Sequence, residues 1–152
     1  MRARDDGRYP YNYLDMIDHI FGSENNTIEV CSRSVEGRNE SSSPYAPFTV
    51  DINPSLKPDY VADAQKLDGI SSGIFNRWRG DPPYNDKTAR EMYGTELPSP
   101  IRLLEAGARV CKPGSLMFLH GNSYQPCPKG VKRIGCIDIS MVSINEVRFL
   151  NI

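Results

Sequence analysis

The stretch "FNRWRGDPPYND", residues 75–86, places an aromatic-flanked run directly before a glycine, an aspartate and two prolines. The run predicts a strand near Phe75 to Arg79, although Arg77 and Arg79 make it less apolar than a buried strand usually is. Pro82 and Pro83 carry no N–H and hold φ near the polyproline value, so a ladder cannot continue through them. Good helix formers and a glycine stop follow in "DKTAREMYG" (86–94). Strand, rigid turn and helix in that order are one unit of an α/β sheet.

Working outward, the same alternation recurs. Upstream, "NYLDMIDHIFG" (12–22) sets Leu14, Ile17, Ile20 and Phe21 at helical spacing before Gly22, and "NNTIEVCS" (25–32) predicts a strand through Ile28 and Val30. "GRNESSSPYAP" (37–47) has no helical stripe and is expected to be a loop. "FTVDINP" (48–54) is a β-branched strand closed by Pro54, "DYVADAQ" (59–65) a third short apolar run, and "LDGISSGIFNRW" (67–78) allows a helical turn before the strand at Phe75. Downstream, "SPIRLLEAGARVCKPG" (99–114) has a cap-type Ser99 and Pro100 in the first turn. Its expected buried stripe is Ile101, Leu104 and Ala108, with Lys112-Pro-Gly as the stop. "SLMFLHG" (115–121) is the clearest strand, and "KRIGCIDISMV" (132–142) and "EVRFLNI" (146–152) are spaced to pair as a hairpin. Short apolar strands separated by helices predict an α/β domain: a mainly parallel central sheet, an antiparallel C-terminal hairpin and helices on both faces. Residues 1–26 are expected to form an arm and a helix packed on a core domain of residues 27–152.

The 152 residues suffice for one domain with a core, and 39% apolar with 24% charged residues is a globular composition. No apolar run reaches the roughly 20 residues of a membrane helix, and the first residues lack the apolar segment of a signal peptide, so a cytoplasmic protein without membrane attachment is expected. Cys31, Cys111, Cys127 and Cys136 form no CxxC pair. His120, Cys127 and Cys136 fall close together without a close ligand pair, and no metal is expected. The net charge of −1 hides an asymmetry: residues 101–133 hold six basic side chains against Glu105 alone, a local charge of +5. That balance suits either a polyanion or ordinary solvated surface.

Ligands of parallel sheets sit beyond the carboxyl ends of the strands, near the point where strand order reverses. Cys31 and Ser32, Asp51, Asp63 and Asp81 all fall at such ends. Asp51 can accept from both hydroxyls of a ribose, or can open the Asp-Ile-Asn-Pro turn. Asp63 can take an adenine amino proton, or can cap the segment that follows it. Glu29 can hold a ligand ammonium if it turns toward the pocket, or can face a helix or solvent. The loop "CSRSVEG" (31–37) has only Gly37, so a dinucleotide fingerprint is absent, and no GxxxxGK[ST] loop is present.

The opening stretch then acquires a chemical meaning. Asp81 and the carbonyls of Pro82 and Pro83 form an edge of acceptors without donors. Such an edge suits a planar amino group: two acceptors pulling on its hydrogens localise the nitrogen lone pair and stabilise positive charge as it develops. Tyr84 can stack on the ring bearing that amine, and Asn85 can bond nearby or cap the next helix. The competing reading is a rigid surface turn.

With these residues in place, the sequence resembles the class I S-adenosylmethionine-dependent methyltransferases, in particular the amino-methylating DNA methylases that act on adenine N6 or cytosine N4. The resemblance runs from about residue 27 to the C-terminus, and "DPPYN" is its most specific element. It implies a Rossmann-like methyltransferase fold and a catalytic amino-group site at Asp81, Pro82, Pro83 and Tyr84. It implies S-adenosylmethionine as cofactor, held by Glu29 and the Cys31–Ser32 backbone at the methionine part. "VDIN" would bring Asp51 and Ile52 to the ribose, "ADAQ" would bring Asp63 and Ala64 to the adenine, and Asp81 would border both ligands. No segment is left over for target recognition, so a nucleic-acid substrate, DNA before RNA, is expected to need little sequence reading or a partner subunit that supplies it. The alternative is a noncatalytic nucleic-acid-binding or partner subunit of the same fold, contacting its partner through the basic 101–133 region.

Overall fold

The computed structural model describes residues 13–31, 46–141 and 146–152, without the side chains of Met92 and residues 140–148. The described strands form one seven-stranded sheet in the order β3-β2-β1-β4-β5-β7-β6. The strands are β1 (Thr27–Val30), β2 (Phe48–Asp51), β3 (Tyr60–Val61), β4 (Phe75–Gly80), β5 (Cys111–Gly121), β6 (Cys136–Met141) and β7 (Glu146–Asn151). The β3-β2-β1-β4-β5 pairings are all parallel, whereas β7 runs antiparallel to both β5 and β6. The α/β class, the mainly parallel sheet and the antiparallel C-terminal part therefore agree with the sequence. Order reverses beside β1, which has β2 on one side and β4 on the other.

Strand alternation sorts two unlike faces. Ile28, Val30, Val50, Trp78 and Leu119 point to one face, where α3 (Pro100–Val110) adds Leu103, Leu104, Ala106 and Val110. The other face receives α1 (Tyr13–Phe21), whose Tyr13 and Ile17 pack with Phe118 and Leu150. Arg77 ties that helix down: it donates to Asp18 Oδ1 at 3.0 Å and to the carbonyl of Gly22, just past the helix end, at 2.7 Å, and lies over the Phe118 ring. A cation at a helix C-terminus satisfies carbonyls that have no partner within the helix. Arg77 and Arg79 are thus what makes β4 less apolar, and both are buried by partners rather than exposed.

Three local expectations are corrected. The buried face of α3 is Leu103, Leu104, Ala106, Gly107 and Val110, whereas Ile101 is 39% exposed and Ala108 is exposed. The helix has rotated to set Gly107 against the Trp78 indole, where a larger side chain would collide. Lys112-Pro-Gly does not end α3: the helix ends at Val110 and the tripeptide lies inside β5. Between Phe75↔Cys111 and Arg77↔Leu116 the register slips, because Pro113 cannot donate to a ladder and Gly114, at φ +83°, turns the chain outward. In α1, Tyr13 takes a buried position and Ile20 is 53% exposed. The expected 37–47 loop lies almost entirely outside the described residues. No helix among the described residues is long and apolar enough to cross a membrane.

Candidate functional site

Each parallel strand from β3 to β4 delivers a polar residue to the same edge as it ends. β1 ends into Cys31, β2 at Asp51, β3 before Asp63, and β4 before Asp81. These four, with Ile52, Ala64, Gln65 and Pro83, line one cavity of about 210 Å³. Tyr93, the last residue of α2 (Asp86–Tyr93), and Thr95, Glu96 and Pro98, from the segment joining α2 to α3, line it as well. Gln65 Oε1 accepts from the Ser99 backbone N–H at 2.9 Å, which joins that segment to the β3 side.

The carboxylates are set by local hydrogen bonds. Asp51 is 4% exposed and its Oδ1 accepts from the Asn53 N–H at 2.9 Å, so the turn-opening role is realised in a residue that also borders the cavity. Asp63 Oδ1 accepts from the Gln65 N–H at 2.9 Å in the same manner. Cys31 adopts φ +56°, a conformation that costs a residue bearing a Cβ roughly 1–2 kcal/mol, at a place where a glycine would be free of that cost. Asn85 caps α2, its Oδ1 accepting from the Thr88 N–H at 2.8 Å, and Gly94 closes it at φ +66°.

Asp81, 3% exposed, is the most deeply set of the cavity carboxylates. Its Oδ1 accepts a short hydrogen bond from the Tyr84 hydroxyl and lies 3.3 Å from His120 Nδ1. His120, 1% exposed at the end of β5, also lies 3.3 Å from the Tyr84 hydroxyl, and the Tyr13 ring sits 5.0 Å from the imidazole. Burial, followed by the negative charge of Asp81, pushes the Tyr13 phenol well above its ordinary range, so it stays protonated. Asn122 donates to the Tyr84 carbonyl at 3.2 Å and anchors the turn from the β5 side.

Asp51, Ile52, Asp63, Ala64, Asp81, Pro83 and Cys31 are thus brought together. Pro82 is buried beside the cavity without lining it, and Tyr84 is half-buried with its hydroxyl on Asp81 rather than facing the cavity. Ser32 lies outside the described residues. Glu29 does not line the cavity: its Oε2 is 2.7 Å from Arg79 Nη2, the two side chains being neighbours in the β1–β4 register. Sequence reasoning passed over His120 except as a metal ligand, and missed Tyr13, Gln65 and the Tyr93–Pro98 wall. His120 had a detectable signal, because it ends the clearest strand of a parallel sheet.

The lining has a definite chemical bias. Four carboxylates, from Asp51, Asp63, Asp81 and Glu96, face the cavity, and no lysine, arginine or histidine among the described residues lines it. Such a site repels phosphate groups and favours hydroxyls, amines and fixed positive charge. Comparison with protein-family models and with curated proteins finds no match to this sequence.

Proposed function

We propose that the chain is an S-adenosylmethionine-dependent methyltransferase with a Rossmann-like methyltransferase fold, acting on an exocyclic amine, first among them adenine N6 or cytosine N4 in DNA. The observation that carries this reading is the meeting of strand-end carboxylates from β2, β3 and β4 in one cavity that no lysine, arginine or histidine among the described residues lines. The sheet order, with one strand antiparallel near the C-terminal edge, and the acceptor edge at Asp81-Pro82-Pro83 support it.

The lining suits the nucleoside part of the cofactor. Asp51 accepts from the ribose hydroxyls, Asp63 from the adenine amine, and Ile52 and Ala64 offer apolar surface to the ring. Ile52 remains 48% exposed at the cavity. The excess of carboxylate favours a sulfonium and an ammonium and disfavours di- and triphosphates. When bound, the cofactor supplies an electrophilic methyl group. The chain's own task is to hold the acceptor amine. Asp81 accepts one of its hydrogens and the carbonyl of Pro82, beside the cavity rather than in its lining, is the acceptor for the other; no N–H of Pro82 or Pro83 competes, and the carboxylate stabilises positive charge on the nitrogen. Before Asp81 Oδ1 can take an amine hydrogen in full, it must share or release the Tyr84 hydroxyl. A base within duplex DNA would have to be extruded, at a few kcal/mol, so a single-stranded substrate is the easier one.

Calorimetry with S-adenosylmethionine and its demethylated product tests the cofactor, and labelled methyl transfer to DNA, RNA and small amines tests the reaction. Asp81→Ala should retain cofactor binding and lose most turnover. Failure of both cofactor forms to bind at millimolar concentration, or equal turnover by the variant, overturns the reading. Nucleic-acid binding without methyl transfer would instead favour a noncatalytic partner subunit.

A further inference from the structure

A second cavity, of about 330 Å³, lies between α3, the first half of β5 and the segment that joins β5 to β6. It exists because β7 pairs only with Leu119, His120 and Gly121 of β5. Toward its beginning, β5 has a notch beside it instead of a paired strand. Leu104, Leu116, Met117, Val131 and Ile152 give the notch apolar walls. Its charged side chains are of one sign, Lys112, Lys132 and Arg133, with no aspartate or glutamate among the described residues lining it. This is the inverse of the first cavity, in a chain whose net charge is −1.

Two observations say what kind of anion fits. Arg133 is half-buried, and its Nε is shielded from solvent with no hydrogen-bond acceptor among the described residues. Its guanidinium lies over the Tyr124 ring, 3.8 Å from the centroid, while Tyr124 is 61% exposed. An arginine stacked on an open tyrosine is a flat platform of the kind on which bases stack, and cations around it suit the phosphates between those bases. The platform's segment begins at Asn122, which bonds the Tyr84 carbonyl. Along β5, Met117 at this cavity is about 10 Å, at the usual strand rise, from His120, whose Nδ1 lies 3.3 Å from Asp81 of the first.

We propose that this notch binds a single nucleic-acid strand, with a base on the Tyr124–Arg133 platform and phosphates on Lys112, Lys132 and Arg133. The site supplies a grip on the strand beside the first cavity. As an account of substrate positioning the inference rests on the methyltransferase reading, but the binding itself is measurable without cofactor or turnover.

The test is fluorescence anisotropy with a labelled single-stranded DNA of about 12 nucleotides, and its duplex, across a salt series. Tyr124→Ala should weaken single-strand binding about 5- to 150-fold. Lys132→Gln and Arg133→Gln should each lower the slope of log K against log salt by about 0.7. Lys132 is exposed, so its variant folds irrespective of how Arg133→Gln behaves. Lys87→Gln, on the exposed side of α2, is the control and should change the affinity little. Absence of binding at low salt overturns the proposal. So does equal affinity for duplex, or a loss with Lys87→Gln as large as with Lys132→Gln. Binding that behaves as expected without methyl transfer sinks the enzyme and keeps the strand site. Methyl transfer that ignores Tyr124→Ala and Lys132→Gln does the reverse.

Discussion

Replacing Glu29 by glutamine would leave the Arg79 guanidinium in a place that water barely reaches. The two side chains are each 9% exposed and meet at 2.7 Å, so solvent screening gives little relief. Arginine cannot shed its proton to escape, because its pKa lies far above any working pH. Removing one partner of a buried pair costs about 3–5 kcal/mol, a large part of the 5–15 kcal/mol that holds a domain together. Replacing both members, Glu29→Met with Arg79→Met, removes the desolvated charge altogether and should return stability to within about 1 kcal/mol of the parent or raise it. Urea unfolding followed through Trp78, the chain's single tryptophan and fully buried, reports both variants. With a slope of about 2 kcal/mol per molar, the single variant should unfold about 2 M earlier and the double should not. A loss under about 1 kcal/mol for Glu29→Gln, or a double variant as weak as the single, refutes the reasoning. If Glu29 instead held the cofactor's ammonium, as the resemblance implies, the substitution would lower ligand affinity and leave the unfolding midpoint in place.

Three further outcomes follow from the geometry. Gly107→Ala gains about 1 kcal/mol of helix propensity but sets a Cβ 2.6 Å from Met117 Cε and 2.9 Å from the buried Trp78 Nε1, an overpacking cost of about 1–3 kcal/mol. A lower melting temperature is expected, and a rise would show that the indole has room to move. Burial pushes the Cys111 thiol up to about 12, whereas Cys127 is exposed; timed alkylation at pH 8 with mass mapping should label Cys127 long before Cys111, and equal rates would contradict the packing. The Asn26 N–H and the Asn76 amide hold the Glu24 carboxyl below its ordinary range. The stability this adds is complete above the ordinary carboxylate pKa and drains as pH falls through the depressed folded value. Glu24→Gln should therefore flatten the acid limb of a plot of unfolding midpoint against pH, and an unchanged limb would exclude the linkage.

The parts of this molecule that could be read from sequence are those fixed within a few neighbours. Runs such as "FTVD" and "SLMFLHG" are strands by their own composition, and a parallel sheet then sends Asp51, Asp63 and Asp81 to one edge by topology alone. Asn85 and Gly94 delimit α2 because capping and left-handed termination are local. What escaped depended on distant partners. Glu29 is claimed by Arg79, which is remote along the chain and adjacent only once β1 and β4 pair. The rotation of α3 follows the indole of Trp78, and Lys112-Pro-Gly becomes a bulge because Phe75 and Arg77 continue to pair around it. His120 acquires meaning only when β5 lies beside β4 and brings it to Asp81.

The unequal lengths of β5 and β7 matter beyond the notch they open. Because the acidic lining gathers at the ends of β2, β3 and β4 and the basic one beside the first half of β5, charge is separated among the described residues although the total nearly vanishes. A long-range field of that kind exerts torque rather than pull: a polyanion nearby would turn the protein before drawing it in. Productive encounters would then be selected by orientation, and added electrolyte would erase that selection within the distance over which ions screen, slowing capture more than it speeds escape.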